Sequence, residues 1–207
     1  PRSFTLAGAN VCSNLIEGKT ITAPNQVWQT DITYVWSGDR WYYLSFVMDV
    51  YSRQILASQC SRDLSAASQV GCLAKAFTSQ KDQDLSELIV HTDRGVQYTS
   101  QEYRNYLERW QVSHSMAHYA WQNAYCERVN RTIKHNYLNY YTTDSYQSLR
   151  RAVVRAVRLY NRSKPHRGLP SRLSPDQFVK ELNRGGYPDY RVNIWSKLTS
   201  TKMLHVN

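Results

Sequence analysis

Ten residues, Trp41 to Val50, are almost continuously apolar. A run of that length, entered by the turn Ser37-Gly38-Asp39-Arg40 and left by Asp49-Val50-Tyr51-Ser52-Arg53, fits a central strand buried on both faces. Val27 to Trp36 precedes it and Gln54 to Cys60 follows it, so the chain opens with a three-strand meander. Asp63 or Ser65 then caps a helix, and the short apolar run Leu88-Ile89-Val90 comes after a polar loop. A strand, a crossover helix and a strand imply parallel pairing. Thr99 and Glu102 form a capping box for a further helix, and Val112 to Met116 supplies one more short strand. Helices are expected over about 122–140 and 146–161, with a short one starting at Ser174-Pro175-Asp176. The prediction is an α/β chain with a mixed five-stranded sheet flanked by helices. Residues 1–25 read as an arm or linker, 26–163 as the core, and 164–207 as an extension whose tail lies outside the core.

Charge narrows the partner. Lys and Arg exceed Asp and Glu by 26 − 16 = 10, a balance that suits a polyanion. The excess is one-sided: from Arg128 to Arg172 there are eleven Lys or Arg and a single acid, Asp144. No long apolar run or signal peptide supports a membrane partner. Cys12, Cys60, Cys72 and Cys126 form no C-x-x-C pair and have no zinc-ligand spacing with the histidines, which fits a reducing compartment.

Three acids stand out against this basic background. Asp31 lies in mid-strand on the face of Val27, Gln29, Thr33 and Val35, where a charge is costly unless paired or bound to a metal. Alone, it reads as an edge-strand or salt-bridged acid. Asp93 sits just past the carboxyl end of the strand after the crossover, where open α/β sheets bind ligands. Glu127 shares a helical stripe with Asn123, Arg131 and Lys134, opposite Cys126, Val129, Ile133, Tyr137 and Tyr140. Alone, it reads as an i, i+4 ion pair with Arg131. Together, the three fit a site for hard divalent ions, two of which can clamp the attacking and leaving oxygens of a phosphoryl displacement.

The motifs Trp28-Gln29-Thr30-Asp31-Ile32-Thr33-Tyr34, Asp49-Val50-Tyr51-Ser52-Arg53 and His91-Thr92-Asp93-Arg94-Gly95-Val96-Gln97-Tyr98 occur in this order, followed by Asn123 and Glu127, Tyr160-Asn161, Pro165-His166, Leu169 and Ser174-Pro175. From about Asn25 to Leu182 the chain resembles the integrase-core DDE transposases of bacterial insertion sequences, in particular the IS-three family. The resemblance implies a ribonuclease-H-like fold, with Asp31, Asp93 and Glu127 as catalytic and metal-binding residues. It implies Mg²⁺ as cofactor, with Mn²⁺ as a substitute. Arg131 and Lys134 match basic positions that follow the catalytic Glu in retroviral integrases. Two departures are visible. Asp93 and Glu127 are separated by 127 − 93 − 1 = 33 residues, fewer than the family pattern. The segment Met116 to Gln122 also lacks the Gly of the usual loop.

The resemblance implies DNA 3′-end cleavage and strand transfer in a bacterial cytoplasm, at the nucleoid. The partners implied are double-stranded DNA, as transposon ends and target, and further copies of the chain in a homodimer or higher oligomer. A ribonuclease-H-like nuclease without strand transfer, or a domesticated DNA-binding module, is the alternative. Candidate DNA contacts are Gln97, Asn123, Arg128, Arg131 and Lys134. His91 reads equally as a phosphate or metal contact and as a strand-end residue, and Asp49 as a partner of Arg53. No helix-turn-helix or zinc-binding pattern precedes the core, so specific end recognition is expected to lie outside this stretch.

Overall fold

The computed structural model describes residues 12–195. Its centre is a five-stranded sheet in the order β4-β3-β2-β5-β6. β2 (Val27–Ser37), β3 (Arg40–Asp49) and β4 (Ile55–Ser61) form the antiparallel meander, and β5 (Ile89–Thr92) and β6 (Ser113–Met116) add in parallel. The tight β2–β3 connection needs Gly38: its φ is +60°, and a Cβ there would lie 2.6 Å from the Asp144 carbonyl oxygen. A two-stranded pairing of β1 (Thr20–Ile21) with β7 (Val192–Asn193) lies beside the sheet.

Both sheet faces are covered, which explains the unbroken apolar run of β3. Val47 joins Trp28, Leu73, Phe77 and Leu107 beneath α1 (Ala66–Ser79) and α3 (Gln101–Arg109). Phe46 and Leu44 point the other way, to Cys126, Ile133, Leu149 and Val153 of α4 (Ala124–Asn136) and α5 (Tyr146–Ser163). A strand sandwiched in this way has no polar side to expose. On α5 the core stripe is buried, and Arg150, Arg151, Arg155, Arg158 and Arg162 are exposed.

Four expectations are corrected. The short helix α2 (Val96–Thr99) ends at Thr99, and Ser100 caps α3 by accepting the Tyr103 N–H at 3.2 Å. α4 stops at Asn136 and a 3₁₀ turn follows, so Tyr140 falls off the core stripe and is 80% exposed. Asp49 accepts hydrogen bonds from the Asn25 and Ser52 N–H groups and the Ser52 hydroxyl, and forms no ion pair with Arg53. The extension also contributes to the interior: Leu169, Phe178 of α6 (Pro175–Leu182) and Val192 pack with Ile16, Ile21, Val27 and Val50 in a third apolar cluster. Apolar area available at the open end of β2 draws both flanking segments in. The rest of the tail's β-like pattern, from residue 196 on, lies outside the described residues, as do residues 1–11.

Candidate active site

Strand register places the first two acids. β2 and β5 run parallel, with Gln29 opposite His91. Asp31 and Asp93 lie two residues further along each chain, so both leave the sheet at the same level and on the same face. β5 has ended by then, and Asp93 turns over: its Oδ1 accepts the Gly95 N–H at 2.9 Å. A Cβ at Gly95 would stand 2.7 Å from Gln97 Oε1 and 3.0 Å from Asp93 Oδ1, so a larger residue there would push both side chains aside.

α4 is docked along β2 by side chains that read its backbone. Gln29 Nε2 donates to the Gln122 carbonyl at 3.2 Å, and its Oε1 accepts the N–H groups of Tyr125 and Cys126 at 3.2 and 3.3 Å. One glutamine thus satisfies free donors of the first helical turn. Asn123 Nδ2 donates to the Thr30 carbonyl at 3.1 Å, and Asn130 Nδ2 donates to Asp31 Oδ2 at 2.8 Å. Lys134 Nζ reaches Thr33 Oγ1 at 3.5 Å and lies 5.4 Å from the centre of the Tyr34 ring. Asp31 therefore faces the α4 stripe between Asn123 and Lys134, and Glu127 lies within that interval.

Asp31 senses both of the other carboxylates. Burial raises the Asp31 pKa to about 7, the charge of Asp93 and then that of Glu127 push it the same way, and the Ile32 N–H and Asn130 amide oppose them. Burial also raises Asp93, against the Gly95 N–H. Glu127 is exposed, and among the described residues it makes no ion pair with Arg131. No three His, Cys, Asp or Glu groups among the described residues already converge to metal-ligating distance. The donor set is nevertheless all oxygen and suited to a hard cation. The buried Oδ1 atoms of Asn123 and Asn130, which lack hydrogen-bond partners among the described residues, lie on the α4 stripe that faces Asp31.

The other predicted residues divide. Gln97 is buried behind Asp93. Asn123 is buried as the strut to Thr30, and Arg131 is exposed on the Glu127 flank. Arg128 is on the opposite flank of α4, in a cavity with Arg53. His91 is fully buried, bonded through Nδ1 to Ser115 Oγ at 2.8 Å, and burial first of all lowers its pKa to about 4; it is a neutral residue of the sheet. Sequence reasoning missed Gln29 and Asn130. The alternation that put Gln29 on the Asp31 face, and the seven-residue spacing of Asn130 from Asn123, were the available signals.

Residues 21–119 and 108–175 each match an integrase core domain profile. The chain is 32% identical over 182 residues to the transposase InsF for insertion sequence IS3A of Escherichia coli (strain K12), covering 86% of this chain and 62% of that protein. It is 31% identical over 162 residues to the transposase for insertion sequence element IS904 of Lactococcus lactis, covering 77% and 63%. The chain thus spans a little over three fifths of the length of these curated relatives. The HTLV-2 integrase catalytic core domain, solved in complex with magnesium, superposes with a TM-score of 0.60 at 24% identity, over 75% of this chain and 96% of that one. The catalytic core domain of BIV integrase superposes with a TM-score of 0.59 at 16% identity, over 79% and 99%. These likenesses establish the ribonuclease-H-like fold of retroviral integrase cores. The chain belongs to the integrase core domain family, and its curated relatives there are transposases of bacterial insertion sequences.

Proposed function

We propose that this chain carries the catalytic core of an insertion-sequence transposase, with residues 26–163 as the core and 1–25 and 164–207 as flanking segments. The observation that carries the reading is the level placement of Asp31 and Asp93, electrostatically coupled to each other and to Glu127 on the helix docked beside them. Asp31, Asp93 and Glu127 would hold Mg²⁺, or Mn²⁺ in its place, as two ions. Bound there, such ions activate the attacking oxygen and stabilise charge on the leaving one.

The protein's own part is positioning and electrostatics. Asn130 orients the Asp31 carboxylate, and the Gly95 N–H fixes that of Asp93. Gln29 and Asn123 lock α4, and so Glu127, against β2. Arg131 and Lys134 lie one and two turns further along the same stripe, where they meet backbone phosphates. In the first step water attacks a phosphodiester at an element end, the P–O3′ bond breaks, and a 3′-hydroxyl is released. In the second, that hydroxyl attacks a target phosphodiester and displaces the target's own 3′-oxygen, which leaves with a proton. No bond to the enzyme forms. The partners are double-stranded DNA, as element ends and target, and at least one further copy of the chain, since two ends are joined to one target. No described helix is long and apolar enough to cross a membrane, and the setting proposed is the bacterial cytoplasm at the nucleoid.

The test is a branched DNA that mimics the joined product, incubated with Mg²⁺ or Mn²⁺ beside an Asp93→Asn control. Metal-dependent rejoining that the control lacks supports the reading. Random nicking without rejoining replaces it with a nuclease, and DNA binding with no reaction at all replaces it with a binding module.

A further inference from the structure

Arg53 is a buried cation that makes no ion pair within 4 Å among the described residues, although the charge of Asp49 still acts on it at longer range. It closes the β3–β4 turn with φ 65° and is only 9% exposed. The neighbouring Asp49 carboxylate is satisfied by Asn25 and Ser52 instead. Arg53 Nη1 donates to the Val50 carbonyl at 2.7 Å, and the guanidinium lies 4.1 Å over the Tyr125 ring. Among the described residues no carboxylate comes within 4 Å of it. A charge held so far from water is expensive unless something opposite pairs with it.

The guanidinium faces a cavity of about 290 Å³ between this turn, α4 and the loop after α5. Arg128, Lys164 and Arg167 line the same cavity, together with His166, and among the described residues no acid does. His166 Nε2 is buried there without a hydrogen-bond partner among the described residues. Four cations around one hollow repel one another until an anion enters. Fork-shaped guanidinium groups match a tetrahedral oxyanion in geometry as well as in charge.

A second cavity, of about 320 Å³, shares Arg53, Tyr125 and Arg128 and continues to Gln29, Trp121 and Trp195. The indoles of Trp121 and Trp195 meet edge to face at 4.5 Å. The hollow is therefore one end of a groove with an aromatic rim, which suits a continuous chain of phosphates and sugars better than an isolated ion. α4 is the shared wall. At 100° per residue, Tyr125, Arg128 and Thr132 face the groove, while Asn123, Glu127 and Arg131 face the acids on the other flank.

We infer that this cavity is a second phosphate site, in which Arg53, Arg128, Lys164 and Arg167 hold a backbone phosphodiester of DNA on the far side of α4 from the reacting one. The site rests on the transposase reading and deepens it. It anchors the duplex about one helix diameter, roughly 10 Å, from the chemistry, so it sets the register in which a strand reaches Asp31 and Asp93.

Binding of the branched DNA by wild type, by Lys164→Gln/Arg167→Gln and by Arg53→Gln, followed by fluorescence anisotropy across a salt series, tests the site. The double variant alters only the rim, so it remains informative if Arg53→Gln fails to fold. Expected is an affinity at least about tenfold weaker, with the slope of log K against log salt shallower by about 0.9 for the one phosphate that is no longer neutralised. A scan of neutral methylphosphonate linkages should find a position that weakens binding to wild type but no longer weakens binding to the double variant. Unchanged affinity and slope in the double variant overturn the site. Thermal stabilisation by inorganic phosphate that the double variant loses, with DNA binding unaltered, makes the cavity a free-anion site and also overturns the inference. If wild type rejoins branched DNA while the cavity variants bind it normally, only this inference falls. If wild type binds no DNA, the functional reading falls with it.

Discussion

Replacing Asp31 by Asn should stabilise the metal-free protein, and more so as pH rises. Asn keeps the shape of the side chain and removes the charge that burial, Asp93 and Glu127 oppose. With its pKa raised from 3.8 to about 7, Asp31 binds its proton more tightly in the folded chain than in the unfolded one. The folded state therefore loses stability as pH rises from about 4 through 7, and the loss is complete above that. A shift of about three units corresponds to a ceiling of about 4 kcal/mol, lowered by the part of Asp31 that water still reaches. Roughly 3 kcal/mol of it falls between pH 5 and 8, which in a domain of this size moves the midpoint by about 6–10 °C. His91, His114 and His166, each lowered to about 4, act in the opposite sense: the unfolded chain binds their protons first, so they add stability as pH rises from 4 to 6.5. The difference between variant and wild type cancels them. Thermal or urea unfolding in chelator at pH 5, 6, 7 and 8 should show that difference growing with pH in favour of Asp31→Asn, and Mg²⁺ should narrow it by stabilising wild type alone. A difference that is flat with pH, or a variant less stable at pH 8, would refute the claim that these acids crowd one another.

Other outcomes follow from the same geometry. Glu127→Gln should abolish strand joining on branched DNA while leaving DNA affinity nearly intact, since the side chain is exposed and forms no ion pair among the described residues; retained turnover removes it from the site. Asn130→Ala should lower turnover by about tenfold or more by freeing the Asp31 carboxylate, and should weaken Mg²⁺ dependence measured by titration; unchanged metal response would make Asn130 a packing residue only. Gly95→Ala should cost little stability, because the atoms its Cβ meets are the ends of two side chains, yet it should displace Asp93 and cut activity sharply. Gly38→Ala should do the reverse, losing about 2 kcal/mol or more at a positive φ against fixed backbone, with the activity per folded molecule retained; calorimetry beside a turnover assay separates the two.

The site was more legible than its supports. Asp31, Asp93 and Glu127 could be picked out because charges in apolar or sheet-end contexts are rare and each carries its own cost. Gln29 and Asn130 could not, because amides are commonplace in sequence, and their value lies in which backbone or carboxyl atom they meet. The same holds for Arg128: as a member of a basic stretch it resembled Arg131, but the single step from Glu127 to Arg128 turns the side chain by about 100°, from the flank that faces the acids toward the cavity it shares with Arg53.

Local sequence by itself determined the alternation of strands and helices, the strand buried on both faces, the basic excess and the three acids, since each follows from side-chain period, burial cost or charge within one segment. Tertiary structure alone decided the rest. The parallel register of β2 and β5 brought Asp31 and Asp93 level. The third apolar cluster drew the flanking segments against the open end of the sheet. The hydrogen bonds of Asp49 to Asn25 and Ser52 left Arg53 without a contact ion pair, facing a cavity of other cations. These are interactions between residues that are mostly tens of positions apart, and their energies depend on distance and dielectric, which a linear pattern does not contain.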